Sequence, residues 1–273
     1  MAYGHIAYEV SDPVATITLD RPDKLNAWTG QMEAELKDAL GAAERDPAVV
    51  GIIITGRGRA FCAGADMELL QSLSAGEGVE MARGDAQAGD DSFDRGYRGT
   101  YSYLASIRKP ILAAINGPCV GMAVPISCFM DMRFMSEDAY FMTAFARRGL
   151  IAEWGSSWML PRLVGTANAF DLLLSSRKVG ADEALRMGLA NRVLPAERLL
   201  EEARAYIQTL ADHCAPGALA QMKKQVYQDL MTPLDGALDE ANRLMLGTIQ
   251  SDDFKEGVSA FLDKRRPKFK RLG

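Results

Sequence analysis

The side chains able to do chemistry are few. Only two histidines occur, His5 and His213, which leaves no room for a histidine-based triad or a multi-histidine metal site. Cys62, Cys119, Cys128 and Cys214 have neither a CxxC nor a zinc spacing and sit mostly in apolar runs, so they read as buried, reduced thiols. No metal site is expected. The stretch Phe61-Cys62-Ala63-Gly64-Ala65-Asp66 follows an apolar run and opens a helix or loop at Met67. The first N–H groups of a helix have no internal partner and sit at the positive end of its dipole. Such groups can receive an anionic oxygen, and a residue as small as Ala65 leaves room for it. Asp66 reads by default as a helix cap. Taken alone, the stretch is also an ordinary glycine turn. Among the carboxylates, Glu153 stands just before Gly155-Ser156-Ser157, where an acid favours a helix N-terminus. Glu77, Glu80, Asp85, Asp90, Asp91 and Asp94 lie in a segment rich in Gly, Asp, Ala and Ser.

The elements that position these residues alternate between strand and helix. Residues 14–19 are β-branched and alternating, a strand, and 20–24 form a turn. Residues 28–45 carry apolar side chains at helical spacing (Met32, Leu36, Ala39, Leu40, Ala43). Residues 49–55 are a buried strand closed by Gly56-Arg57-Gly58. Residues 72–99 read as loops and short helices, 101–107 as a short helix and 109–115 as a second buried strand. A tightly packed helix over 121–129 follows, then short strands at 132–135 and 140–142, and helices at 157–163 and 167–174. Residues 196–261 are helical, with stripes at Leu199, Ala203, Ile207, Leu210 and at Leu238, Ala241, Leu244, Met245. The pattern predicts an α/β core over 1–195 and a helical subdomain over 196–273 that folds back on the core or packs against another subunit.

The chain has 273 residues and a formal charge of -5. That length buries about three quarters of the unfolded surface without a staple. The acidic balance argues against nucleic acid as a partner, and the basic run 264–271 reads mainly as a solvated end. The longest apolar stretch, 119–130, is shorter than the roughly 20 residues of a membrane span. The first residues carry no basic or apolar signal segment, so a cytoplasmic location is expected. The scattered methionines read as core filler.

Four stretches, taken in order, resemble the enoyl-CoA hydratase/isomerase (crotonase) superfamily. They are Leu19-Asp20-Arg21-Pro22-Asp23-Lys24-Leu25-Asn26-Ala27, the 61–66 stretch, Asn116-Gly117-Pro118-Cys119-Val120-Gly121-Met122-Ala123, and 148–165, from Arg148-Gly149-Leu150 to Leu163-Val164-Gly165. The resemblance implies a crotonase-like spiral of ββα units with a C-terminal helical oligomerisation region, assembled as a homotrimer or a dimer of trimers. It implies an acyl-CoA thioester as substrate, with no separate cofactor. The oxyanion donors would be the N–H groups of Ala65 and Met122, with Ala63, Gly64, Asp66, Met67 and Gly121 around them. The family usually has glycine where this chain has Met122 and Ala123, which makes a bulkier pocket floor.

Hydratases of the family use two glutamates. Their positions match Pro125 and Phe145 here, and neither moves a proton. Related isomerases use one carboxylate before a GSS-like helix start, the place of Glu153. The resemblance therefore implies an isomerase that shifts a double bond from the 3 to the 2 position with Glu153 as base, or a close variant acting on a ring-bearing or dienoyl thioester through the same carboxylate position. A hydratase with an atypical acid/base and a non-catalytic acyl-CoA-binding protein are the alternatives. A helix N-terminus lowers a carboxylate's pKa, whereas Phe145, Trp154 and Trp158 would raise it by desolvation. Lys24, Phe261 and Lys264 match positions that contact coenzyme A, the last two often across a subunit boundary. Arg147 and Arg148 read as a solvated pair.

Overall fold

Alternating side chains at the N-terminus build a hairpin that starts a larger sheet. In the computed structural model, which describes residues 3–76 and 88–273, β1 (Ile6–Ser11) runs antiparallel to β2 (Val14–Leu19). The sequence pattern shows β2 but not β1, an edge strand whose burial fades toward Ser11. Next come α1 (Gly30–Arg45), β3 (Gly51–Gly56) and α2 (Met67–Ser74). Helix α1 begins two residues later than its apolar spacing suggests, because Thr29 Oγ1 caps it by accepting from the Met32 N–H at 3.1 Å. The acids Glu77, Glu80 and Asp85 lie outside the described residues.

Then follow β4 (Ile111–Ile115), β5 (Cys119–Val120), α3 (Ala123–Cys128), β6 (Met132–Ser136), β7 (Tyr140–Met142) and α4 (Ser156–Ser175). The two helices expected at 157–163 and 167–174 are one element broken at Gly165, where φ is 76° and ψ is 160°. The short helix expected at 101–107 is a 3-10 helix, Ser102–Ser106. Strand β8 (Val179–Gly180), α5 (Ala181–Arg186) and β9 (Arg192–Leu194) complete the strand-bearing part. The expected helical span is α6 (Leu199–His213), α7 (Pro216–Asp229), α8 (Leu234–Ile249) and α9 (Asp252–Leu262).

Six strands form one sheet in the order β1-β2-β3-β4-β6-β9, parallel apart from the first pair. Strands β5, β7 and β8 form a second, smaller sheet. The period of two along β3 divides the core. Ile52 and Ile54 belong to the side that packs with Met32, Leu36 and Leu40 of α1. Ile53 faces the other way, with Leu112, Phe134 and the α6 residues Leu199, Ala203 and Ile207. Gly51 is needed here, since a Cβ would lie 2.5 Å from Ile207 Cδ1. Helix α6 thus covers one face of the main sheet although it lies beyond residue 195. Helix α7 is pinned by Lys223, whose ammonium meets Asp131 at 2.9 Å while Asp131 also accepts from the Ile111 N–H at 2.6 Å. Helix α8 differs: none of its residues is buried in the single chain. Among the described residues, no helix is long and apolar enough to cross a membrane, and no cluster of His, Cys, Asp or Glu could hold a metal.

Candidate active site

Two short parallel segments carry the centre of the site. Residues Cys62 and Cys119 are bridge partners: the Cys62 N–H donates to Pro118 O at 3.0 Å, and the Val120 N–H donates to Cys62 O at 2.9 Å. Three residues further along each segment stand Ala65 and Met122, so the register places them side by side. Each is preceded by a glycine in a left-handed backbone conformation, Gly64 at φ 96° and Gly121 at φ 58°. These two backbones approach closely. A Cβ on Gly121 would sit 3.7 Å from Gly64 Cα, and one on Gly64 would sit 3.0 Å from Val120 O.

Peptide planarity then aims the two N–H groups. The Gly64 carbonyl accepts from the Trp28 N–H at 2.8 Å. A trans peptide points its N–H opposite to its C=O, so the Ala65 N–H faces away from Trp28. The Gly121 carbonyl accepts from the Val124 N–H at 3.1 Å, inside the first turn of α3, so the Met122 N–H points back out of that turn. Among the described residues neither N–H donates to an internal acceptor. Both N–H groups are therefore unspent among the described residues. Met122 and Ala123, where the family usually has glycine, are both buried in the core cluster.

The residues around this pair divide into two groups. Ala63 and Gly64 hold the backbone, with the Ala63 N–H donating to Leu25 O at 3.0 Å. Asp66 is engaged rather than open: Arg21 donates to its Oδ2 at 2.8 Å, and its Oδ1 accepts from the Glu68 N–H at 3.0 Å. The Arg21 guanidinium first, then the Glu68 N–H, holds the Asp66 carboxyl below its usual range. Arg21 also donates to Ala27 O at 2.6 Å, clamping the 21–27 turn to the site. Lys24 is exposed on that turn and contributes to the lowered Asp66 pKa, so it lies beside the segment. Met67 opens α2 and is exposed.

Glu153 sits on the tight turn before α4. Its carbonyl accepts from the Ser156 N–H at 3.0 Å, and Trp154 and Gly155 both adopt left-handed conformations, at φ 54° and 75°. For a tryptophan that conformation costs about 1–2 kcal/mol. Burial raises the Glu153 pKa, and the Trp154 side chain partly offsets the rise. Phe145 and Pro125 are both buried and carry no proton-active group.

An apolar cavity of about 330 Å³ adjoins this turn, lined by Tyr97, Tyr101, Phe129, Trp154, Trp158 and Met231 among others. Tyr101 links the two halves of the site. Its ring meets Trp154 edge-on at 5.0 Å and Trp28 at 5.7 Å, and Trp28 is the backbone partner of Ala65. Sequence reading missed Tyr97, Tyr101, Phe129 and Met231 as lining residues. Tyr97 and Tyr101 share no helix, so their spacing of four carries no signal. Phe261 and Lys264 do not join the site in the single chain. They stand exposed at the end of α9, where the tail bonds instead to Glu256 and Asp12.

Comparison with known proteins shows the family and the fold. The enoyl-CoA hydratase/isomerase family profile matches residues 9–271. A probable enoyl-CoA hydratase of Rhodobacter capsulatus is 38% identical over 98% of this chain and 99% of its own. A 1,2-epoxyphenylacetyl-CoA isomerase of Escherichia coli is 32% identical over 97% of each chain. The crystal structure of an enoyl-CoA hydratase from Bacillus anthracis superposes with a TM-score of 0.86 at 28% identity, covering 98% of this chain and 99% of that one. With a family match across nearly its whole length and a fold shared with solved members, the chain belongs to the enoyl-CoA hydratase/isomerase family of the crotonase superfamily and is an enzyme of that family.

Proposed function

We propose that the enzyme is an acyl-CoA isomerase that moves a double bond from the 3 to the 2 position. The observation that carries this is the presence of one turn-mounted carboxylate with a raised pKa, Glu153, and buried Pro125 and Phe145 where a hydratase would keep its acid and base. Glu153 removes a proton from C2. The electron pair moves onto the thioester oxygen, held by the Ala65 and Met122 N–H groups, as a dienolate. The charge returns through the chain, C4 takes the proton from Glu153, and the 2,3 double bond forms. One carboxylate handles both transfers, so no second acid and no cofactor is required. Two isomerases among the relatives support this reading, one acting by its name on an epoxyphenylacetyl thioester and one on a dienoyl thioester. The hydratase names of other relatives favour the second reading, an enoyl-CoA hydratase with an unusual acid and base. Incubation with 3-enoyl-CoA should give the conjugated 2-enoyl thioester, seen by ultraviolet absorbance. Incubation with 2-enoyl-CoA should give no product heavier by one water. The opposite pair of results selects the hydratase, and neither product selects a binding protein.

The raised pKa sets the pH dependence. Glu153 must be ionised to act as base, so kcat/KM falls as pH drops through its pKa. That acid limb should lie above the ordinary glutamate range. A limb at or below the ordinary range would detach Glu153 from the proton transfer.

The free thiols fit a cytoplasmic enzyme. A homotrimer or dimer of trimers is supported by α8, which exposes Leu234, Leu238, Met245, Leu246 and Ile249 along one helix. In such an assembly Phe261 and Lys264 would reach the coenzyme A of a neighbouring subunit. Replacing Leu238 and Met245 together by glutamate should yield monomers by light scattering and weaken acyl-CoA affinity. A wild-type monomer at micromolar concentration would count against the assembly.

A further inference from the structure

The cavity beside Glu153 is walled by aromatic rings in place of the branched aliphatic side chains that would suit a flexible chain. Tyr97 meets Trp158 edge-on at 6.1 Å, and Tyr101 meets Trp154 at 5.0 Å. Phe129 closes the wall against Gly155, where a Cβ would come within 3.0 Å of its Cζ. The hydroxyls of the two tyrosines are spent elsewhere. Tyr97 donates to Tyr227 O at 2.5 Å, and Tyr101 donates to Glu33 Oε2 at 2.8 Å. What these side chains offer the cavity is therefore ring surface.

We propose that this cavity takes the acyl portion of thioesters that carry a planar ring, in preference to straight-chain acyl groups. The assignment rests on the acyl-CoA reading of the Glu153 turn, because Trp154 and Gly155 line the cavity and directly follow Glu153. It names the substrate class for that site. The size fits: an apolar cavity of roughly 150 Å³ holds a benzene molecule, and this one measures about 330 Å³. That leaves space for a ring and the carbons joining it to the thioester. The energetics favour a ring as well. Aromatic pairs in offset or edge-on contact attract one another beyond the area they bury. A straight chain of equal carbon number buries at least as much apolar area but gains none of that extra attraction, and it loses more torsional freedom on entering.

The test is equilibrium binding of two unreactive thioesters with the same number of acyl carbons, 4-phenylbutanoyl-CoA and decanoyl-CoA, to the intact protein. The phenyl compound should bind about tenfold tighter or better. Decanoyl-CoA binding equally well or better overturns the proposal, since area alone would then decide. In Tyr97→Leu and Trp158→Leu the preference should shrink severalfold while decanoyl-CoA affinity changes little. A full preference surviving in both variants would place the ring elsewhere and also overturn the assignment. The wild-type comparison stands if either variant fails to fold. Because neither thioester reacts, the result is independent of whether Glu153 moves a proton. That reading fails separately, if 3-enoyl-CoA is not isomerised.

Discussion

Glu153→Gln should slow isomerisation on the order of a hundredfold or more while acyl-CoA affinity stays near that of the wild type. Glutamine preserves shape and hydrogen bonding but takes no proton. The donors at Ala65 and Met122 are backbone groups on other segments, so the substitution leaves them in place. Exchange of the C2 proton with solvent should collapse together with turnover, because both require the same base. The folded state should gain slightly from the change at neutral pH. Burial raises the Glu153 pKa, so the folded protein holds the proton more tightly than the unfolded chain does. Stability therefore declines as pH rises from the unfolded toward the folded pKa, and the cost remains above it. Glutamine escapes that cost, and the melting temperature should rise slightly at pH 7 but not below the unfolded pKa. Turnover and C2 exchange both unchanged in the variant would reduce Glu153 to a helix-end acid.

Gly64→Ala should be the most damaging single methyl in the site. The position combines φ 96° with a Cβ place 3.0 Å from Val120 O, and that oxygen belongs to the neighbouring backbone. Relief requires moving one of the two segments. Either movement shifts the Ala65 N–H relative to the Met122 N–H. Loss of one oxyanion donor costs about 10²–10³ in kcat, and a displaced donor should approach that loss. The backbone strain should also cost about 1–2 kcal/mol of stability. Steady-state kinetics on 3-enoyl-CoA and a thermal melt check both. Wild-type kcat in a folded variant would show that the Gly64 turn does not aim the donor.

The strands and helices that hold the donors were visible in the sequence because their physics is local. Residues 49–55 and 109–115 are apolar runs bounded by glycine or proline, and they lie close to β3 and β4. The break at Gly165 was visible for the same reason, as a gap between two helical stretches. The pairing of Cys62 with Cys119 was not visible, because register between segments 57 residues apart in the chain is a tertiary property. The aromatic wall was hidden too. Tyr97, Phe129, Trp158 and Met231 come from four separate stretches of the chain and meet only after folding. Asp66 shows the reverse limit: as a cap it was legible, but its clamp by Arg21 depends on a turn 45 residues away. Phe261 and Lys264 match coenzyme A-contacting positions of the family, yet one chain alone does not bring them to the site.

The bridge between Cys62 and Cys119 gives the protein a built-in clock. Both thiols are fully buried, and burial pushes the Cys62 thiol up to about 12 and Cys119 well above its ordinary value. Almost no thiolate exists at neutral pH, so an alkylating reagent reacts with either only when the strands part. Cys214, half-exposed at the end of α6, is accessible without such opening. With Cys128, a third buried thiol in α3, replaced by alanine, the slow phase of thiol labelling times the opening of the two segments that carry Ala65 and Met122. A thioester analogue that grips their N–H groups lengthens that phase in proportion to how tightly it holds the segments closed.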